Sequence, residues 1–181
     1  MAYVTLGQLR SIPIQLEKSA ALLREARANV LAEVFLSHSH LDDQDLARVV
    51  TLLEQSGVQV RLDQTETLLF GLSGTEAAPI IRDSIQSCPK LVVALTKHIV
   101  GSRWIPWEIG LADGLHGINN VALFPLLAPS VKDVPVEKEY LDLYPAIEWV
   151  KLNNQPTTQY CVRVPGTQTY WTLQQWLKMR E

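Results

Sequence analysis

The sequence has only two cysteines, Cys88 and Cys161, in 181 residues. Two scattered thiols make no disulfide framework, and without a Cys-x-x-Cys pair they suggest no zinc site. Both are expected as small buried apolar residues. An excess of one charge is also missing. The formal net charge is −3 and the signs are mixed along the chain, so no global field draws it to nucleic acid or to an anionic membrane. No apolar run is long enough to span a bilayer. The segment Met1-Ala2-Tyr3-Val4-Thr5-Leu6 lacks the basic start and apolar stretch of a secretion signal. A reduced, cytoplasmic protein is the expectation. The glycine patterns that cradle phosphates, Gly-x-Gly-x-x-Gly and the P-loop, are absent. Ordinary hydride transfer on a dinucleotide cofactor is thereby disfavoured, as is ATP hydrolysis. No Gly-x-Ser-x-Gly elbow points to a serine esterase.

What is present is a globular composition, 47% hydrophobic and 19% charged. Residues 5–31 read as helical. Thr5 and Gln8 have capping-box spacing, and Leu16, Ala20, Leu23, Ala26 and Val30 recur at helical intervals. Most such amphipathic helices cover their own core, which favours a packed N-terminal extension over a dedicated partner-binding helix. The pattern then alternates. Strands are expected at 33–37, 58–63, 91–95, 121–127 and 147–150. Helices are expected at 42–55, 75–87 and 104–115, with Thr75 as an N-cap and Ile80, Ile81 and Ile85 facing inward. A Pro-rich stretch, 128–145, has room for one short helix, and a Trp-rich helix closes the chain near 171–179. The organisation expected is a helical extension (1–31), a domain (32–153) and a tail (154–181) whose terminal helix packs on that domain.

Strands alternating with helices imply an open five-stranded parallel sheet, doubly wound, with helices on both faces. Ligands on such sheets sit beyond the carboxyl ends of the strands, where strand order reverses. The loops placed there are 37–41, 64–74 and 96–103. In the first, Ser37-His38-Ser39-His40-Leu41-Asp42, hydroxyls and imidazoles can hydrogen-bond sugar or phosphate oxygens. The plainer role of Ser39 or Asp42 is to cap the next helix. His38 and His40 lack a third ligand, so no metal is expected.

The third loop leads into Trp104-Ile105-Pro106-Trp107-Glu108-Ile109-Gly110-Leu111-Ala112, an acid in an otherwise apolar helix. A carboxylate there costs energy to desolvate, so it should be paired, partly wet, or kept for use. On spacing alone the plainer reading is a helix-start acid satisfied by backbone N–H groups or paired with Arg103. Trp104 and Glu108 also share a helix face at i and i+4. An aromatic wall beside a carboxylate suits a flat heterocycle next to a sugar.

Four boxes then occur in order. They are Val34-Phe35-Leu36-Ser37-His38; Val60-Arg61-Leu62-Asp63 followed by Gly74 and residues 80–87; Leu91-Val92-Val93-Ala94-Leu95-Thr96; and Ser102-Arg103-Trp104-Ile105-Pro106-Trp107-Glu108-Ile109. Over roughly 33–150 the chain resembles the bacterial Toll/interleukin-1 receptor (TIR) domain. It is similar to NAD+-cleaving members that make signals in Thoeris-like antiphage defence. The resemblance implies a flavodoxin-like fold and cleavage of the nicotinamide–ribose bond of NAD+ as substrate, with no separate cofactor. It implies release of ADP-ribose or of a cyclic ADP-ribose-type signal. It maps the catalytic acid onto Glu108, and substrate-lining positions onto His38, Ser39, Asp63, Gly74 and Trp104. It further implies self-association through TIR–TIR contacts, a separate effector protein that senses the product, and a phage-derived trigger. Two features depart from the pattern: an insertion-like Leu68-Leu69-Phe70-Gly71-Leu72, and Ser39 and His40 where relatives carry basic residues. A non-enzymatic adaptor that assembles through the Leu68-Leu69-Phe70 loop is the alternative.

Overall fold

A computed structural model describes residues 4–38, 41, 43–63, 72–96, 102, 104–127, 139–152 and 156–179. The elements run β1 (Val4–Thr5), α1 (Leu6–Arg10), α2 (Leu16–Ala28), β2 (Val34–His38), α3 (Asp43–Gln55), β3 (Val60–Leu62), α4 (Gly74–Ser87), β4 (Lys90–Leu95), α5 (Ile105–His116), β5 (Val121–Leu127), β6 (Ala146–Val150), β7 (Gln159–Arg163), β8 (Tyr170–Thr172) and α6 (Leu173–Lys178). The sheet order is β3-β2-β4-β5-β6-β7-β8. From β3 to β6 every pairing is parallel, which is the doubly wound core that the alternating pattern predicts. From β2 the chain passes to β3 on one side and then crosses to β4 on the other. Strand order therefore reverses beside β2, and on sheets of this kind ligands bind beyond the carboxyl ends of the strands at such a point.

Strand alternation sorts side chains onto two faces. Val34 and Leu36 of β2, Val92 and Ala94 of β4, and Ala122 and Phe124 of β5 pack with Leu9, Leu23, Leu46, Leu53 and Trp176, the side of α1, α2, α3 and α6. Phe35 of β2, Leu91, Val93 and Leu95 of β4, and Leu123 of β5 pack with Ile81, Ile85, Ile105 and Ile109, the side of α4 and α5. The central strands are apolar on both faces because helices cover both.

The structure departs from the expected pattern in four places. The N-terminal helical segment is two helices, broken around Pro13, whose missing N–H and fixed φ interrupt the hydrogen-bond ladder. The Thr5–Gln8 capping box forms, but on the short α1. On α2 the inward stripe is Ser19, Leu23 and Ala26, while Val30 lies beyond the helix and is 67% exposed. On α4 the N-cap is Ser73, whose capping box with Glu76 displaces Thr75 from that role; Ile81 and Ile85 are buried but Ile80 is exposed. The sheet also has more than five strands. β1 adds parallel to the end of β5, and 159–172 form an antiparallel hairpin on β6. Its turn carries Pro165 and Gly166, the latter at φ +68, a conformation glycine tolerates best.

Both cysteines are buried, as expected. Among the described residues no helix is long and apolar enough to cross a membrane. The apolar loop residues 68–71 lie outside the described residues; Leu72 beside them is exposed.

Candidate active site

The inward stripe of α5 is Ile105, Glu108, Ile109 and Ala112, spaced i, i+3, i+4 and i+7. Three members are apolar and dock on the sheet. The fourth is an acid in a position that the helix period buries. Glu108 is 0% exposed. Pro106 stands in the first turn of the helix, where its missing N–H costs nothing.

Facing it is Ser37. In β2, Ser37 shares the face of Phe35, the α5 side, while His38 shares the face of Leu36. The Ser37 hydroxyl donates to Glu108 Oε2 at 2.5 Å, and both side chains are buried. Glu108 Oε1 is buried and has no hydrogen-bond partner among the described residues. Asp63 ends the run from β3, on the Arg61 side of that strand. It is 3% exposed, and its backbone N–H donates to the Leu36 carbonyl at 2.9 Å.

Electrostatics follow from this placement. Burial pushes the Glu108 carboxyl up from 4.5 to about 8, the nearby Asp63 charge pushes the same way, and the Ser37 hydrogen bond opposes both. The acid in the apolar helix is thus neither wet nor ion-paired among the described residues. Arg103, the alternative partner, lies outside them.

The expected site residues divide. Glu108 and Asp63 come together. Trp104 stands at the N-cap of α5, half-buried, with its ring edge-on to Trp107 at 5.5 Å between centroids. His38 is buried at the end of β2 but on the opposite face from Ser37. Gly74 is exposed at the first residue of α4, with no heavy atom within 4 Å of where a Cβ would stand. Ser39, His40 and Asp42 lie outside the described residues. Ser37 is the partner that the sequence reading missed as a site residue. The signal for it was the alternation itself, since Phe35 and Ser37 share one face.

A second polar cluster is internally bonded. A cavity of about 530 Å³ at the opposite end of β4 is lined in part by Lys90, His116 and Asn120. There Lys90 Nζ donates to Asn120 Oδ1 at 2.7 Å and sits 4.6 Å from the centre of the Trp176 ring. The Trp176 indole donates to the Asn119 carbonyl at 2.9 Å. These contacts dock α6 against the turn before β5.

Residues 34–161 match the TIR domain family. Over 121 residues the chain is 36% identical to a protein of Bacillus cereus (strain MSX-D12) named "Probable 3' cyclic ADP-D-ribose synthase ThsB'". That similarity covers 66% of this chain and 62% of the relative, so the chain spans less than two thirds of the relative's length. The parallel strands β2 to β6 and the boxed residues around Ser37, Asp63 and Glu108 all fall within the matched span, and the chain belongs to the TIR domain family.

Proposed function

We propose that this chain cleaves NAD+ at the nicotinamide–ribose bond and closes the remaining ADP-ribose into a cyclic product. The observation that carries the reading is Glu108, a carboxylate in the buried stripe of α5 with one oxygen unbonded among the described residues. A fold keeps such a group at a cost in stability, and a site that uses it explains the cost. The name of the Bacillus cereus relative supports the cyclic outcome.

The chemistry needs one acid. The C–N bond to the pyridinium breaks heterolytically, and its electron pair stays on the ring nitrogen. Nicotinamide leaves neutral, so no proton donor is required. Positive charge grows on the ribose, as in an oxocarbenium-like glycoside transition state. Ionised Glu108 stabilises that charge in a low-dielectric surrounding. Capture by a hydroxyl of the same molecule closes the ring and releases a proton; capture by water gives ADP-ribose and a proton. Burial holds Glu108 mostly protonated near neutral pH, and a pyridinium cation seated beside it favours the ionised form. Because the carboxylate is 0% exposed, the ribose reaches it only when a covering group shifts.

Within this reading Asp63 and Trp104 line the substrate on the Glu108 side, and His38, Ser39 and Gly74 are further substrate-binding positions. The product serves as an antiviral signal read by a separate effector protein, a phage-derived trigger starts synthesis, and self-association completes the active form in the cytoplasm. The test is incubation of purified protein with NAD+, with products resolved by chromatography and mass. Nicotinamide with a species one water lighter than ADP-ribose is expected, at a rate rising faster than linearly with protein concentration. Nicotinamide with ADP-ribose alone would make it a hydrolase. No turnover at any concentration would leave a non-enzymatic assembly module.

A further inference from the structure

We propose that Ser37 is the positioning residue of the site: its hydroxyl holds Glu108 Oε2 and thereby leaves Oε1 as the oxygen offered to the ribose. The inference rests on the NAD+-cleavage reading and adds a residue to it.

Three observations carry it. The two side chains belong to elements fixed independently of each other. β2 is paired on both sides, with Ser37 in register with Val93 of β4. α5 is docked through Ile105, Ile109 and Ala112. Helix docking fixes the backbone of Glu108, yet three side-chain torsions remain free, and one hydrogen bond to a rigid strand removes that freedom. The bond is also asymmetric. A serine hydroxyl has one proton to donate, and here it goes to Oε2 at 2.5 Å while Oε1 has no partner among the described residues. Finally, the neighbours on that face supply no competing donor in the described contacts. β4 presents Val93 and Leu95, and the residue just past β3 is Asp63, an acid that repels rather than orients. Asp63 is the charged group that acts on Glu108; His38 is on the opposite sheet face.

A residue that only filled space at position 37 would be replaced by alanine without changing how Glu108 titrates. A positioning hydroxyl would not. Removing a donor that favours the ionised carboxylate moves the titration of Glu108 to higher pH. It also lets the side chain leave the productive rotamer, which lowers kcat more than it raises KM.

The experiment compares wild type, Ser37→Ala and Ser37→Thr. Two readouts are taken: kcat and KM for NAD+ across pH, and carbon-13 NMR of labelled glutamate carboxyls, with Glu108→Gln assigning the Glu108 signal. The expected result for Ser37→Ala is a fall in kcat of about ten- to a hundredfold, KM within about threefold, and an acid limb displaced upward. Ser37→Thr, which keeps the hydroxyl, restores most of kcat and the original limb. Ser37→Ala with wild-type kcat, or with an unmoved Glu108 titration, overturns the proposal. If wild type releases no nicotinamide while the NMR titration still moves in Ser37→Ala, the NAD+ reading falls and Ser37 stands as the residue that orients Glu108.

Discussion

Glu108 and Glu148 are both 0% exposed, and strand alternation against Ile147 puts Glu148 on the same α4–α5 face of the sheet. Their oxygens fare differently. Glu148 Oε1 accepts from Arg163 Nε at 2.7 Å and its Oε2 accepts from the Tyr170 hydroxyl at 3.2 Å. The pair locks the β7–β8 hairpin onto β6, across a register that sets Glu148 opposite Cys161. Glu108 has a serine on one oxygen, nothing on the other among the described residues, and a second acid nearby. A buried acid that is fully bonded to a cation and a phenol holds structure in place. A buried acid left half-bonded next to another acid weakens the fold it sits in, and the proposed reaction is what would use it.

The sharpest test of the contrast is exchange of each acid for its amide. Glu108→Gln is expected to lower nicotinamide release by about a thousandfold or more with an unchanged circular dichroism spectrum. Glu148→Gln is expected to leave the rate per folded molecule within about threefold. Equal losses in the two variants, measured by chromatography of nicotinamide, would erase the distinction. Truncation reverses the ranking. Glu148→Ala removes the buried carboxylate to which both Arg163 Nε and the Tyr170 hydroxyl donate, and should cost about 3–5 kcal/mol in urea unfolding. Glu108→Ala strands no cation among the described residues and should cost less.

Protonation gives a third comparison with a defined sign. The folded-state carboxyl of Glu108 titrates near 8, against 4.5 for the ordinary group. Between those values the folded chain holds a proton that the unfolded chain releases. The stability that this difference supports is complete below about 4.5 and is lost as pH rises to about 8. Glu108→Gln does not titrate there. Its melting temperature should match wild type near pH 4 and exceed it by several degrees near pH 8–9, with the gap opening in between. A constant gap across that range would mean that Glu108 carries no raised pKa. The smallest effect is expected at a third buried acid. Asp45 is 2% exposed and takes a forked bond from Arg10, with Nη2 at 2.7 Å. Because the Arg10 side chain is 54% exposed and Arg48 also reaches Asp45 at 3.4 Å, Arg10→Ala should cost only about 1 kcal/mol.

Much of the parallel core was legible because its signals are local. A strand covered on both faces must be apolar throughout, so Leu91-Val92-Val93-Ala94-Leu95 announced itself. Thr5 and Gln8 announced a helix start through a hydrogen-bond geometry three residues long. The hairpin at 159–172 carries no such signal, because β8 is three residues long and none of them is buried. Thr75 reads as a cap because it precedes the periodic run, whereas Ser73 has the glutamate at the required spacing. At the site, Glu108 was legible as an acid out of place in an apolar helix. Ser37 was not, because a serine in a strand has no such contrast with its surroundings.

The sequence by itself determined the periods of its elements, the acid placed in the buried stripe of α5, and the boxes that mark the family. These are consequences of backbone sterics and of which side chains avoid water, and both act over a few residues. Only the tertiary structure decided that Ser37 rather than His38 meets that acid, across 71 positions of chain. Alternation says that the two point to opposite faces, but which helix covers which face is set by the crossovers of the whole sheet.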